Sequence, residues 1–156
     1  MEEKTNVMRI LDAHKIFYQH FKYNSNPHMT GVDIAHVQNQ NVDTVFKTLV
    51  TLARPGRYYV FLVPVARELD LKRAALSVHE KSLNMVHQRD LLSICGYVHG
   101  GCSPVGMKKL FPTIVDSSAQ NFANIVISAG RPGHQIMISP NDLLQIVPFQ
   151  YADIVI

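Results

Sequence analysis

The chain has few residues that could staple it or anchor it. Its 156 residues include two cysteines, Cys95 and Cys102. No CxxC pair and no HExxH occurs, and no His/Cys spacing suits tetrahedral zinc, so zinc modules and thioredoxin-type redox motifs are excluded. A disulfide between the two cysteines would close a small loop and would be unusual in a reducing compartment. No metal or cofactor is expected. No run approaches the roughly 18 apolar residues that a membrane-spanning helix needs. The start, Met1-Glu-Glu-Lys-Thr-Asn6, is charged where a signal peptide is apolar, so a cytoplasmic protein with no membrane partner is expected. Charge is also scarce: 17% of residues are charged and the net charge is +3, with a pI near 8.9. That is too mild for a dedicated nucleic-acid binder, although it tolerates a polyanionic partner. Repeats, low-complexity tracts and linkers are absent, which predicts a single domain over 1–156.

What is present is an apolar, globular pattern, 47% hydrophobic. Thr5 is placed to cap a helix through Val7, Met8, Ile10 and Leu11 that ends near Lys15. Ile16 to Tyr23 reads as a strand, and Val32 to Gln38 as a short helix. Val45 to Leu52 is rich in β-branched residues and Tyr58 to Val63 is continuously apolar. With Arg54-Pro-Gly-Arg57 between them they predict a central hairpin whose second strand is buried on both faces. Asp70 starts a helix to Leu76. A short strand at Leu83–Val86 and a helix over Gln88–Cys95 follow, the helix stopped by Gly96. Strands are expected at Leu110–Asp116, Asn124–Ser128, His134–Ile138 and Tyr151–Val155. Ser117–Asn121 reads as one helical turn. Ser139-Pro-Asn-Asp142 is a strong helix start, with Ser as cap and Pro at the first helical position. Strands outnumber helices in irregular order. The expected class is α+β, a mixed sheet curled toward a barrel with helices around it.

Chemistry concentrates in Gly96-Tyr-Val-His-Gly-Gly-Cys-Ser-Pro-Val-Gly106, which holds four of the chain's 8 glycines. Glycine lets a backbone approach a ligand closely and point N–H groups at an oxygen. The competing reading is a plain connecting loop. Cys102 and Ser103 are potential nucleophiles, but Ser103 lacks the flanking of a nucleophile elbow and Cys102 has no identifiable base. Backbone donors are therefore favoured. Lys47 interrupts an apolar strand, on the face of Val45 and Leu49 by period 2. It reads either as a snorkelling edge lysine or as a cation at a pocket rim. Among the histidines, His99 stands out because of its loop. Lys108, Lys109 and Arg131 could face a phosphate backbone or simply be solvated. Ser128-Ala-Gly-Arg-Pro-Gly133 is a second Gly-rich turn that could reach the same pocket.

Val45-Phe-Lys-Thr-Leu-Val50, Pro64-Val-Ala-Arg-Glu-Leu-Asp-Leu-Lys72, the Gly96–Lys109 stretch and Ser128–Gly133 occur in that order. Together they closely resemble the YbaK/EbsC family, the Cys-tRNA(Pro) deacylases related to the editing domain inserted in bacterial prolyl-tRNA synthetases. The resemblance runs from about Lys4 to Ile154. It implies an α+β domain with a mixed, barrel-like sheet. It also implies trans editing, in which the ester between a wrong amino acid and the terminal adenosine of a tRNA is cleaved. Mischarged tRNA would be the substrate, and prolyl-tRNA synthetase a partner that supplies it. The resemblance assigns the functional lysine to Lys47 and a G-x-x-x-P loop to Gly100-Gly101-Cys102-Ser103-Pro104. It places pocket residues at Tyr23, Thr48 and Ser128. Catalytic roles then fall to Lys47 and to the loop at Gly100, Gly101 and Cys102. Two departures stand out. The late turn carries Pro132 and continues into His134-Gln135 where the family often has an acid, and the loop after Tyr23 is short. Related members edit Ala-tRNA(Pro), but Gly100–Pro104 looks most like the Cys-tRNA(Pro) branch. The alternatives are a non-catalytic module that holds tRNA ends and a hydrolase that uses Cys102 or Ser103.

Overall fold

Two apolar β-rich runs set the frame. In a computed structural model of the protein, which describes residues 4–156, Phe46–Arg54 (β2) and Arg57–Pro64 (β3) form an antiparallel hairpin. The charged Met1-Glu2-Glu3 start lies outside the described residues. β3 joins Thr113–Asp116 (β5) in parallel, and β5 joins Phe149–Ala152 (β8) in parallel. The short Asn84–Met85 strand (β4) flanks β2, giving the order β4-β2-β3-β5-β8. A second sheet of three strands has the order β1-β7-β6, formed by Gln19–Lys22, His134–Ile138 and Ile125–Ser128.

The hairpin buries both faces, because its strands alternate between two cores. Val50, Val60, Leu62 and Val115 meet Ile125, Ile127, Ile136 and Ile138 of the smaller sheet. Helix Asn6–Ala13 (α1) adds Val7, Met8 and Leu11 to this core. Helix Leu91–Cys95 (α4) and helix Pro140–Ile146 (α5) also pack into it. On the opposite face Tyr59, Phe61, Val63 and Ile114 pack on Ala74 and Ala75 of helix Leu71–Ser77 (α3). Each large side chain that is fully buried contributes about 1.5–3 kcal/mol.

The helix starts follow their caps. Thr5 accepts from the Met8 N–H, Asp70 from the Lys72 and Arg73 N–H groups, and Ser139 from the Asp142 N–H. Helix Gly31–Val37 (α2) opens with a reciprocal box: Thr30 accepts from the Asp33 N–H, and the Asp33 carboxylate accepts from the Thr30 N–H at 2.9 Å. That backbone hydrogen bond holds the Asp33 carboxyl below its ordinary pKa.

Several expectations need correction. The sheets do not close into a barrel. They pack face to face, and among the described residues their backbones are joined by an isolated parallel bridge, Val45 to Val126, with Ala35 of α2 beside it. The first strand starts at Gln19 rather than Ile16, because Lys15 turns with φ 57° and Ile16 folds back into the core. The β5 ladder starts only at Thr113, and Leu110 stays exposed. The last strand begins at Phe149 and stops at Ala152, and Val155 makes only an isolated bridge to Leu69. The predicted Gln88–Cys95 helix begins as a 3-10 turn, Gln88–Asp90. Cys95 and Cys102 are free thiols.

Candidate functional site

Where β2 leaves the hairpin core, its first half borders a cavity of about 650 Å³. Val45 to Val50 form one side. The start of α2 forms another, with Thr30, Gly31 and Ile34. Met85, Val86 and Leu91 close a third, and His99, Gly100 and Cys102 bring the Gly-rich loop to the fourth. Ser128 and Gln135 of the small sheet and Tyr23 after β1 complete it. The lining is mostly apolar with a few polar groups, as in small-ligand pockets.

Close backbone approach shapes two of these walls. A Cβ on Gly31 would lie 2.6 Å from Val65 Cγ1, so only glycine lets the α2 start sit on the chain leaving β3. A Cβ on Gly101 would meet Pro132 Cδ at 2.7 Å and the Pro132 nitrogen at 2.9 Å. The two Gly-rich segments therefore pack on each other, a contact the sequence left open. Ser128 helps to hold the late turn, since its hydroxyl accepts from the Gly130 N–H at 3.1 Å.

Lys47 stands opposite Val63 in the β2–β3 register, half-buried, with no hydrogen bond or ion pair among the described residues. Burial pushes its ammonium pKa down, and Glu68 partly offsets that through space. Thr48 Oγ1 is buried and has no hydrogen-bond partner. Gln135 Oε1 accepts from Gln38 Nε2 at 3.3 Å and from Gln40 Nε2 at 3.1 Å. This amide cluster closes the cavity just after the late Gly-rich turn. An unpaired cation and an unpartnered hydroxyl on one strand are costly groups to bury. They suit a site whose ligand supplies anionic or carbonyl oxygens.

The structure gathers Lys47, Thr48, Tyr23, Ser128, Gly100 and Cys102 around the cavity. Gly101, Ser103 and Pro104 stand behind the wall. The Gly101 N–H is already donated to the Val98 carbonyl at 3.0 Å, so it does not point at a ligand. Ser103 is fully buried, and its hydroxyl accepts from the Val105 N–H. Pro104 lines a separate cavity of about 80 Å³ near Phe111. Among the described residues the N–H groups of Gly100 and Cys102 make no backbone hydrogen bond, which leaves them available as donors. The Cys102 sulfur lies 4.0 Å from the Cys95 sulfur. Their S–H contact pulls the Cys95 pKa down to about 6 and pushes Cys102 up. Sequence reasoning missed the α2 wall. Its signal was the Thr30-x-x-Asp33 capping box.

An α+β domain with a half-buried cation at a mostly apolar cavity is arranged to take a small ligand that carries oxygen groups. A family model for the aminoacyl-tRNA editing domain matches residues 26–146, and the chain belongs to that family. A protein of Enterococcus faecalis that carries the provisional name Cys-tRNA(Pro)/Cys-tRNA(Cys) deacylase EbsC is 38% identical over 154 residues. The match covers 98% of this chain and 94% of that one. The same fold occurs in a crystal structure titled as a provisional trans-editing enzyme for prolyl-tRNA synthetase. It is 22% identical, with a TM-score of 0.82 and 99% of each chain covered. A hypothetical protein of known structure is 18% identical with a TM-score of 0.87, covering 97% of this chain and 100% of that chain. No helix among the described residues is long and apolar enough to cross a membrane.

Proposed function

We propose that the protein is a trans-editing deacylase that cleaves the ester of mischarged tRNA, with Cys-tRNA(Pro) as its main substrate and Cys-tRNA(Cys) as a second. The observation that carries this reading is Lys47, half-buried and unpaired at a cavity whose far wall is the Gly100–Cys102 backbone. The relative at 38% identity, by its name, supports the substrate.

An aminoacyl ester is already activated, so position and charge stabilisation supply most of what catalysis needs. Lys47 neutralises the terminal phosphate or orients the ester. The Gly100 and Cys102 N–H groups hold the carbonyl oxygen or the ribose. Thr48, Tyr23 and Ser128 complete the polar contacts. The cavity, about 650 Å³, is large for a cysteine side chain alone and fits an aminoacyl group with its ribose. Size therefore selects weakly, since one methylene is worth only about 1–3 kcal/mol. Chemistry selects better. The substrate thiol attacks its own carbonyl, the S–C bond forms, the ester C–O bond breaks, and the thiol proton goes to the ribose oxygen. The products are free tRNA and a cyclic thioester. This route needs no Ser-His-Asp triad. The cytoplasm is where such a substrate occurs, and prolyl-tRNA synthetase is the partner that would hand it over.

The test is a panel of Cys-, Ser- and Ala-charged tRNA(Pro), scored by release of free tRNA. Turnover of the cysteinyl form alone is expected. Equal rates on all three make water the nucleophile, faster alanyl cleavage makes it an Ala-tRNA(Pro) editor, and binding without turnover makes it a module that holds tRNA ends.

A further inference from the structure

The Gly-rich loop brings together two thiols that the proposed reaction does not use. Cys95 ends α4 and is fully buried. Cys102 is 8% exposed and lines the cavity, so a small molecule entering there reaches Cys102 first. The sulfurs are 4.0 Å apart, and both are reduced. A disulfide requires about 2.05 Å between sulfurs and close Cβ atoms. The intervening chain holds three glycines, Gly96, Gly100 and Gly101, and glycine has the widest backbone freedom for such an approach. Lys108 is fixed beside the pair: its N–H donates to the Cys95 carbonyl at 3.0 Å, and its side chain packs over Gly96. The Cys102 S–H contact first, and the Lys108 ammonium further, favour the thiolate form of Cys95, which makes Cys95 the base for its neighbour.

We propose that Cys95 and Cys102 are a modification site for small peroxides, and that the disulfide formed there closes down the editing cavity. Only the second half rests on the deacylase reading. The Cys102 sulfur attacks one peroxide oxygen and passes its proton to the Cys95 thiolate across the S–H contact, the O–O bond breaks, and the leaving hydroxide takes a solvent proton and departs as water. The Cys102 sulfenic acid is then attacked by the Cys95 sulfur. The S–S bond forms, and a second water carries away the Cys95 proton and the sulfenic oxygen. Two thiols give up two electrons to one peroxide. Because Cys95 is embedded in the core, Cys102 must do most of the moving. That movement draws the Cys102 N–H away from the ligand, and Gly101 is displaced from its seat on Pro132. The sulfenic and disulfide states are both reversible by a thiol reductant.

The experiment treats the intact protein and its Cys95→Ser variant with hydrogen peroxide. It reads the whole-protein mass, the 95–102 peptide linkage without reductant, and hydrogen exchange at residues 99–102. Turnover of Cys-charged tRNA is measured before treatment, after it and after dithiothreitol. The native protein should lose two hydrogens, show linked peptides and altered exchange in the loop, and fall at least tenfold in turnover, with full recovery on reduction. Cys95→Ser should keep its untreated turnover and form no linkage, leaving a sulfenic acid on Cys102 that dimedone traps. If that variant does not fold, Cys95→Ala takes its place. Two unlinked thiols after treatment, or linked protein within twofold of the untreated rate, would overturn the proposal. If untreated protein does not deacylate the tRNA, the editing reading fails instead, and the linkage and exchange measurements still decide the site.

Discussion

The two halves of β2 solve the same problem in opposite ways. Thr51, in the second half, is fully buried and donates its hydroxyl to the Tyr59 carbonyl at 3.0 Å. Thr48, in the first half, buries its hydroxyl with no partner. The cations differ likewise. Arg54, at the end of β2, reaches Glu80 together with Arg57 from the start of β3, and Glu80 also accepts from the Tyr59 hydroxyl at 2.5 Å. Lys47 reaches no partner and pays the desolvation cost of its position. One half closes its hydrogen bonds and serves the fold. The other leaves its polar groups open beside a cavity, a local penalty that Glu68 offsets only in part and a ligand could offset further.

The strongest way to break this contrast is Lys47→Met. Deacylation should drop about a hundredfold or more, while stability in urea stays equal or rises, since a poorly solvated charge is removed. Equal turnover would strip Lys47 of its role, and a large loss of stability would make it structural. Paired threonine variants come next. Thr51→Val should cost about 1–2 kcal/mol in urea titration, because it leaves the Tyr59 carbonyl without that donor. Thr48→Val should leave stability unchanged or higher and lower turnover. If both variants cost the same stability, the two halves are alike after all.

pH sharpens the comparison further. The lowered pKa of Lys47 means that the unfolded chain holds this proton more tightly than the folded one. Stability should therefore rise with pH from the folded pKa up to the ordinary lysine value. Turnover should fall over the same alkaline window as the ammonium is lost, at a pH below that of an ordinary lysine. A pH–rate profile alongside urea titrations checks both signs. The Glu80 carboxyl is held low, first by the Tyr59 hydroxyl and then by the two arginines. Its stabilisation is present above its ordinary pKa and is lost as pH falls through the lowered folded value. Glu80→Gln should flatten this small acid-side slope and leave turnover untouched.

Much of this was legible in the chain because it is local. Residues 58–63 are continuously apolar, and β3 is buried on both faces. Ser139-Pro140 starts α5 as its cap chemistry requires. The motifs around Lys47 and Gly100 marked the two main walls of the cavity. What stayed hidden depends on contacts between distant segments. Period 2 put Lys47 on an apolar face but could not say that no carboxylate reaches it. Nothing in the loop composition told that the Gly101 N–H would be used within the loop and the Gly100 N–H left open. The Thr30 cap was readable as a helix start, but its place in the cavity wall depends on Gly31 packing on Val65. Barrel closure failed for the same reason, since it turns on whether sheet edges find each other in space.

The seat of Gly101 on Pro132 has a consequence for how such chains can diverge. Position 101 has no room for a side chain while the backbone of residues 131–132 keeps its course. A change at either turn alters what the other will accept. Losing the ring at 132 would not make room for even alanine at 101, because the residue 132 nitrogen and the Arg131 carbonyl carbon lie 2.9 and 3.0 Å from its Cβ position, so glycine should persist at 101 unless the whole late turn is rebuilt.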